Sequence, residues 1–541
     1  MRTNFFLAVI GLSLALYSCD KDNDEPINEE ETLVKTEAEA AALVNAAYVP
    51  LQWLNSYNSA FLEGLTEVLA SVSEDVSAAS RLSRFEVTTD NDVVIELFSD
   101  PYTSVGAANL AIAQIEAAPV SASLTQEQKD YQIARAKFVR GHSYFKLVQT
   151  FGEAPILTTD AIVGERKPVN EVYQQAVNDL TEAAEHLPAY DAQKSNPSKA
   201  AANTILAKLY LTWGQIPVTS AEIQAIANSQ TDPAKPAPDA AKLQKAVEYA
   251  DAVIANTQYH LLSNFNNIWG VSNENNAEVI FSVRHDGDGI DDFGNHQTHC
   301  GFTWPKNPRT DPHLSYADVT LKNRIPDGDG RKFFSYVTQI GYADGTIDTL
   351  DWPVSVVRPG KWIHRTANDI TKALEPEEQL NNIDRIDYRF AEVLLIKAEA
   401  LFFQGNAAAA LPLVNQLRER AYGNNSHNLS SLTAQNLYDE WDKEFAFELK
   451  RWFNLVRWRN YISTVKTALD GFEYIKSDYT STESINAAFP NETGINYPLY
   501  VKLHENQLAK KNGLKGKLYR LPIPLGYEYE DLGITPQNPG Y

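Results

Sequence analysis

Ala391-Glu392-Val393-Leu394-Leu395-Ile396-Lys397-Ala398-Glu399-Ala400-Leu401-Phe402 carries Ala391, Leu394, Leu395, Ala398, Leu401 and Phe402 on one face of a helix. Gly405-Asn406 then breaks the pattern, and Ala407 to Ala421 begins a second helix. Two helices of this length with alanine at their crossing points form a hairpin of tetratricopeptide-like proportions.

The same texture extends upstream. Glu37 to Leu54 and Val94 to Glu116 are Ala-rich, with apolar residues at helical spacing. Residues 128–150 place Ala134, Phe138, Gly141, Phe145 and Val148 on one stripe, where small side chains let a neighbouring helix come close. Val169 to Leu187, Lys199 to Trp213 and Lys242 to Asn256 repeat the pattern, each ending near a Pro, Gly or Asn. The fold class read from this is mainly α: tetratricopeptide-like helical hairpins in a superhelical scaffold, without a strict 34-residue repeat. Between about residue 260 and residue 385 the chain changes character. Glu278 to Val283 reads as a short strand, set among Gly, Asp, Pro and Asn clusters with Trp269, Trp304, Trp352 and Trp362. A long irregular insertion on a rigid helical scaffold is where binding residues tend to sit.

At the other end, Arg2, the apolar run Phe5 to Leu16 and Ser18-Cys19 read as an export signal, residues 1–18, that ends at a lipidation cysteine, Cys19. The alternative is an ordinary cleaved signal that happens to end near a Cys. Residues 19–34 are acidic and polar and read as a flexible tether, leaving 35–541 as the helical domain with its insertion at about 260–385. No later segment has 18 or more uninterrupted apolar residues, so the expected anchor is the lipid alone. The formal net charge is −23, and loss of Arg2 with the signal takes it to −24, a field that repels phosphate backbones and disfavours nucleic acid as a partner. Once Cys19 is acylated Cys300 is the one remaining thiol, so an intramolecular disulfide is excluded and stability rests on packing.

Several ordered blocks resemble the SusD/RagB family of outer-membrane nutrient-binding lipoproteins of Bacteroidota. Ala136 to Phe145 leads through Leu147-Val148 into Phe151-Gly152-Glu153-Ala154-Pro155. Arg166 to Pro188 and Lys199 to Leu211 follow. Then come Arg389 to Leu395 with Ala398-Glu399-Ala400, Asn415, Arg418 and Arg420-Ala421. Glu440, Glu444 to Glu448 and Arg451 to Leu455 match a C-terminal helix, and Leu521 to Pro524 with Gln537 to Tyr541 match the closing segment. Trp441, Leu449 and Asn454 depart from the family, which usually has Arg, Gly and Asp there. Read as one helix, Leu437, Trp441, Phe445, Trp452 and Leu455 share a face, and Glu448 lies three residues before Arg451, close enough to pair. The resemblance implies a lipid-anchored protein facing out from the outer membrane. Such a protein captures oligo- or polysaccharide and delivers it to a SusC-like TonB-dependent transporter, without catalysis. RagB-like peptide binding is the alternative, and a glycan-degrading enzyme a more distant one.

Glycan binding needs aromatic faces for sugar rings and polar groups for hydroxyls. Asp75 to Phe85 and Gly294 to Pro308 have that mixture. The candidate substrate-binding residues are Trp304 as a stacking platform, Trp352 as a second aromatic, and Asp75, Arg81 and Arg84 as hydrogen-bonding groups. The competing reading makes each Trp core and each charge a solvated face. Trp53, Trp213, Trp269, Trp441 and Trp452 lie on helical stripes or beside scaffold motifs and read as buried. No cofactor is expected. Asp286 to Asp292 and Asp327-Gly328-Asp329 have oxygen donors of the kind calcium takes, but neither has the closing Glu of a twelve-residue loop. His296, His299 and Cys300 have no fourth ligand in the sequence. G-x-S-x-G, H-E-x-x-H and Walker loops are absent from the sequence.

Overall fold

The stripe Ala134, Phe138, Gly141, Phe145 and Val148 is buried along the helix Gln126–Phe151. The computed structural model of the chain describes residues 34–54, 61–71, 78–158, 164–285, 383–471, 497–524 and 536–541, with shorter pieces between 315 and 374 and at 481–484. In chain order the main helices are α1 (Glu37–Leu54), α2 (Asp92–Ala117), α3 (Gln126–Phe151), α4 (Val169–His186), α5 (Lys199–Gly214) and α6 (Ala240–Ile254). They continue as α7 (Phe390–Phe403), α8 (Ala407–Tyr422), α9 (Ala434–Glu444), α10 (Arg451–Arg457) and α11 (Tyr461–Asp470). From α1 to α8 each packs against the next, which is the stacked-hairpin scaffold the periodicity predicts.

Close packing depends on small residues. A Cβ on Gly141 would lie 2.8 Å from Leu180 and 3.0 Å from Asp179 of α4, so only glycine permits this approach. Beside it Arg140 holds Asp179, at 2.9 Å from Nε, and fixes the antiparallel register of α3 and α4. Gly405, at φ +86°, turns the chain between α7 and α8, and Asn406 caps α8 by accepting the Ala409 N–H at 3.2 Å.

The strand Val279–Val283 is buried at every position, as its apolar run implies, and pairs antiparallel with Arg385–Arg389. This ladder delivers Arg389 into a buried network that ties the insertion to the C-terminal hairpins. Arg389 bonds Glu278 at 3.0 Å, Glu444 at 2.5 Å and both oxygens of Glu448 at 2.9 Å. Arg420 reaches Glu278 and Glu444, and Arg331 reaches Asp329, Glu440 and Glu444. Arg418 adds to Glu440 and Lys361 to Glu448. Among the described residues the cations Arg331, Lys361, Arg389, Arg418 and Arg420 are thus matched one for one by Glu278, Asp329, Glu440, Glu444 and Glu448. Such balance matters because a buried charge left without its partner is costly. Burial alone raises the Glu444 carboxyl, but Arg420, Arg389 and Arg331 outweigh it and hold the group well below the ordinary range.

Two expectations are corrected. Residues 437–455 are not one helix: α9 ends at Glu444, α10 starts at Arg451, and between them Phe447 and Leu449 take φ of +60° and +59°. The left-handed backbone at Leu449 sits where the family usually has glycine, the residue that adopts it without strain. The break also separates Glu448 from Arg451. Glu448 serves Arg389 and Lys361, whereas Arg451 pairs with Glu67 and Asp442. Trp441, Trp452 and Trp269 are buried as expected. Trp213 is only half-buried, stacked on Tyr173 at 5.3 Å with its Nε1 donating to Asn170 at 2.8 Å. The side chain of Trp53 lies outside the described residues.

Candidate functional site

Leu69–Ser71 pairs antiparallel with Ser315–Ala317, with Ser71 directly opposite Ser315. The chain therefore leaves toward Asp75 at the same point where it returns from the 294–308 stretch. Gly294 to Pro308 lies outside the described residues, as does Asp75.

Past it, the short helix Ala78–Ser83 is held from two sides. Gly64, in the 3-10 turn Phe61–Leu65, lets that turn close on Ser83, which an added Cβ would meet at 3.3 Å. Asn91 caps α2 through its Oδ1, which accepts from the Val93 and Val94 N–H groups, while its Nδ2 donates to the Ala78 carbonyl at 2.9 Å. One side chain thus anchors both helix starts. Behind them Phe85, at φ +59°, lies buried with Lys510 5.0 Å above its ring.

This frame carries two of the candidate residues. Arg81 donates from Nη2 to Thr88 Oγ1 at 2.7 Å and lies 3.5 Å from Asp90, with 27% of its side chain exposed. Thr88, foremost, together with Arg81 holds Asp90 below the usual carboxylate range. Arg84 is mostly buried and forks onto Glu86 at 3.1 and 3.0 Å. Arg81 is therefore the arginine available at the surface, and Arg84 braces the loop. Thr88 and Asp90 were not singled out from the sequence, although Thr88-Thr89-Asp90-Asn91 ahead of a helix is a turn-and-cap signal. Asp75, Trp304 and Trp352 lie outside the described residues, as do Cys19, Asp286 to Asp292, His296, His299 and Cys300.

Of the acidic turns considered for calcium, Asp329 is committed elsewhere. Both its oxygens bond Arg331, at 2.9 and 2.6 Å, and Asp327 pairs with Lys332 at 2.5 Å. Among the described residues no group of three or more His, Cys, Asp or Glu is placed to hold a metal ion.

Residues 336–541 match the SusD family, and residues 19–211 match a family described as starch-binding and associating with the outer membrane. SusD-like protein P2 of Formosa agariphila is 26% identical over 491 residues, which cover 83% of this chain and 90% of that protein. A solved SusD homologue from Bacteroides thetaiotaomicron superposes with a TM-score of 0.71 at 18% identity, covering 96% of this chain and 99% of that one. A laminarin-binding SusD-like protein gives 0.64 at 22% identity over 94% of this chain and 100% of that one, again a likeness of fold. Both halves of the sequence lead to the same place: the chain belongs to the SusD/RagB family.

Proposed function

We propose that this protein is a glycan-binding lipoprotein of the outer-membrane surface, anchored through Cys19. It captures oligo- or polysaccharide and passes it to a SusC-like TonB-dependent transporter, binding the chain without cleaving it. The observation that carries the reading is Arg81, held at the surface beside Thr88 and Asp90 in the chain that follows the Leu69–Ser71 and Ser315–Ala317 ladder. Family membership supports it, with one matched family described as starch-binding and a structural neighbour named for laminarin. The Arg81 guanidinium beside the Thr88 hydroxyl and Asp90 offers a planar donor next to acceptors, the pairing that neighbouring sugar hydroxyls require. Asp75 adds a carboxylate, and Trp304 and Trp352 the flat faces against which pyranose rings stack. A shallow, wet site of this kind binds modestly.

Titration calorimetry of residues 20–541 against laminarin, starch and other neutral glucans tests this. One of them should bind. Arg81→Ala should then weaken it by roughly ten- to a hundred-fold, the cost of one charge-assisted hydrogen bond of about 1.5–3 kcal/mol. A folded protein that takes none of them contradicts the proposal.

A further inference from the structure

Tyr173 of α4, Trp213 and Tyr210 of α5 and Tyr249 of α6 stand in one row of near-parallel rings. Tyr173 and Trp213 stack at 5.3 Å and 9°, Trp213 and Tyr210 at 6.2 Å and 24°, and Tyr210 and Tyr249 at 5.7 Å and 11°. The row runs outward, from a buried Tyr173 to Trp213, Tyr210 and Tyr249, each half-buried. It shares no residue with the Arg81 edge, and α3 and α4 stand between α2, which that edge precedes, and α5.

The helix seam does not call for these rings. A Cβ on Gly214 would lie 2.9 Å from Leu243, so α5 and α6 already meet closely there, and Leu243, Ala246, Ala250 and Val253 fill the buried stripe of α6. Tyr249 flanks that stripe and ends the row. Tyr210 meets one face of its ring, and among the described residues no other ring or cation lies over the second. Neither tyrosine hydroxyl has a hydrogen-bond partner among the described residues. Lys245 pairs with Glu248 at 2.8 Å, both exposed, within electrostatic reach of the Tyr210 hydroxyl. Lys242 pairs with Asp239 and lies 4.7 Å over the Trp213 ring.

These charges are paired along the rim, which leaves no net charge to select an anion or a cation, and their donors and acceptors stand beside flat apolar faces. A neutral pyranose answers that chemistry, with its C–H face on a ring and its hydroxyls on the rim. A protein surface closing over the row would strip water from Lys245 and Glu248, at a cost in desolvation. The rings are held beforehand by one another and by Asn170, which accepts from Trp213 Nε1 at 2.8 Å, so binding freezes little side-chain motion. We propose that the face of α5 and α6 around Tyr210 and Tyr249 is a second carbohydrate-binding surface, with a neutral pyranose stacked on the open face of Tyr249. It rests on the glycan-binding reading and gives one long polysaccharide chain a second point of attachment, which raises avidity.

Hydroxyl-radical footprinting of residues 20–541 in laminarin and in soluble starch tests this, with the labelling of each tyrosine read by mass spectrometry. At saturation the glucan that binds should shield Tyr210 and Tyr249, in the wild type and in Arg81→Ala alike. Tyr249→Ala should weaken binding of that polysaccharide roughly two- to tenfold, the worth of one aromatic contact, and Tyr249→Phe should keep most of it. If Tyr249→Ala does not melt cooperatively, the footprint decides alone. A glucan that binds the wild type but leaves both tyrosines labelled as in the free protein overturns the inference and spares the Arg81 reading. So does full affinity in a folded Tyr249→Ala. Shielding that disappears in Arg81→Ala also overturns it, because the surface then does not bind by itself. If the folded wild type takes no glucan, both readings fall.

Discussion

Replacing Glu444 by Gln keeps the shape of a fully buried side chain and removes the one carboxylate that Arg331, Arg389 and Arg420 share. Breaking a buried ion pair by deleting one partner costs about 3–5 kcal/mol. The low end applies, because Arg389 keeps its fork on Glu448 at 2.9 Å and its 3.0 Å contact to Glu278, and Arg331 keeps Asp329 and Glu440. We therefore expect Glu444→Gln to lower the unfolding free energy by about 3 kcal/mol. Urea denaturation followed by Trp fluorescence, which the buried Trp441 and Trp452 report, gives that number as a shift in midpoint at unchanged slope. Glu248→Gln is the control. Its carboxylate is exposed to solvent against Lys245 at 2.8 Å, and its loss should leave the midpoint essentially unchanged. The depressed pKa of Glu444 gives a second signature. Its stabilisation is present above the ordinary Glu value and is lost only as pH falls through the lower native one, so the deficit of the variant should hold from pH 8 to about 5 and shrink in acid. A loss under about 1 kcal/mol at pH 7 would refute the view that this network ties the insertion to the C-terminal hairpins.

Glu63 should behave in the opposite sense. Burial raises its carboxyl to about 7, so it favours folding below the unfolded value near 4.5 and loses that advantage as pH rises through 7. Relative to the wild type, Glu63→Gln should gain about 3 kcal/mol between pH 4.5 and 8, read as the difference in urea midpoints, while keeping an acceptor for the Leu449 N–H. Gly141→Ala should lower stability by about 1–2 kcal/mol in spite of better helix propensity, because its methyl meets Leu180 at 2.8 Å; thermal melts measure this. Leu449→Gly should leave stability within about 1 kcal/mol in the same melts, relief of left-handed strain offsetting lost side-chain packing and a freer unfolded chain.

The helical scaffold was legible because its signals are local. Apolar residues at offsets of three and four, with breakers between, located α3 and α5 to within two residues, and Gly141 announced its close neighbour. The break after Glu444 was hidden because Leu437, Trp441 and Phe445 run in helical phase with Trp452 and Leu455, and no glycine marks the positive φ at Phe447 or Leu449. The partners of Glu448 could not be read either. Arg389 and Lys361 are brought to it by tertiary structure, whereas Arg451 was merely near in sequence. At the site, residue types pointed to Arg81 and Arg84 together, but local geometry separates them: Glu86 takes Arg84, and Arg81 stays at the surface. The pairing of Ser71 with Ser315, across more than two hundred residues, has no sequence signature at all.

The most direct measurement is a crystal structure with a bound oligosaccharide of whichever glucan shows heat. The account predicts sugar at the end of the Leu69–Ser71 and Ser315–Ala317 ladder, with a hydroxyl on Arg81 and a ring stacked on Trp304. Sugar bound on another face, with Arg81 still closed on Thr88 and Asp90 and Trp304 away from the ligand, would contradict it.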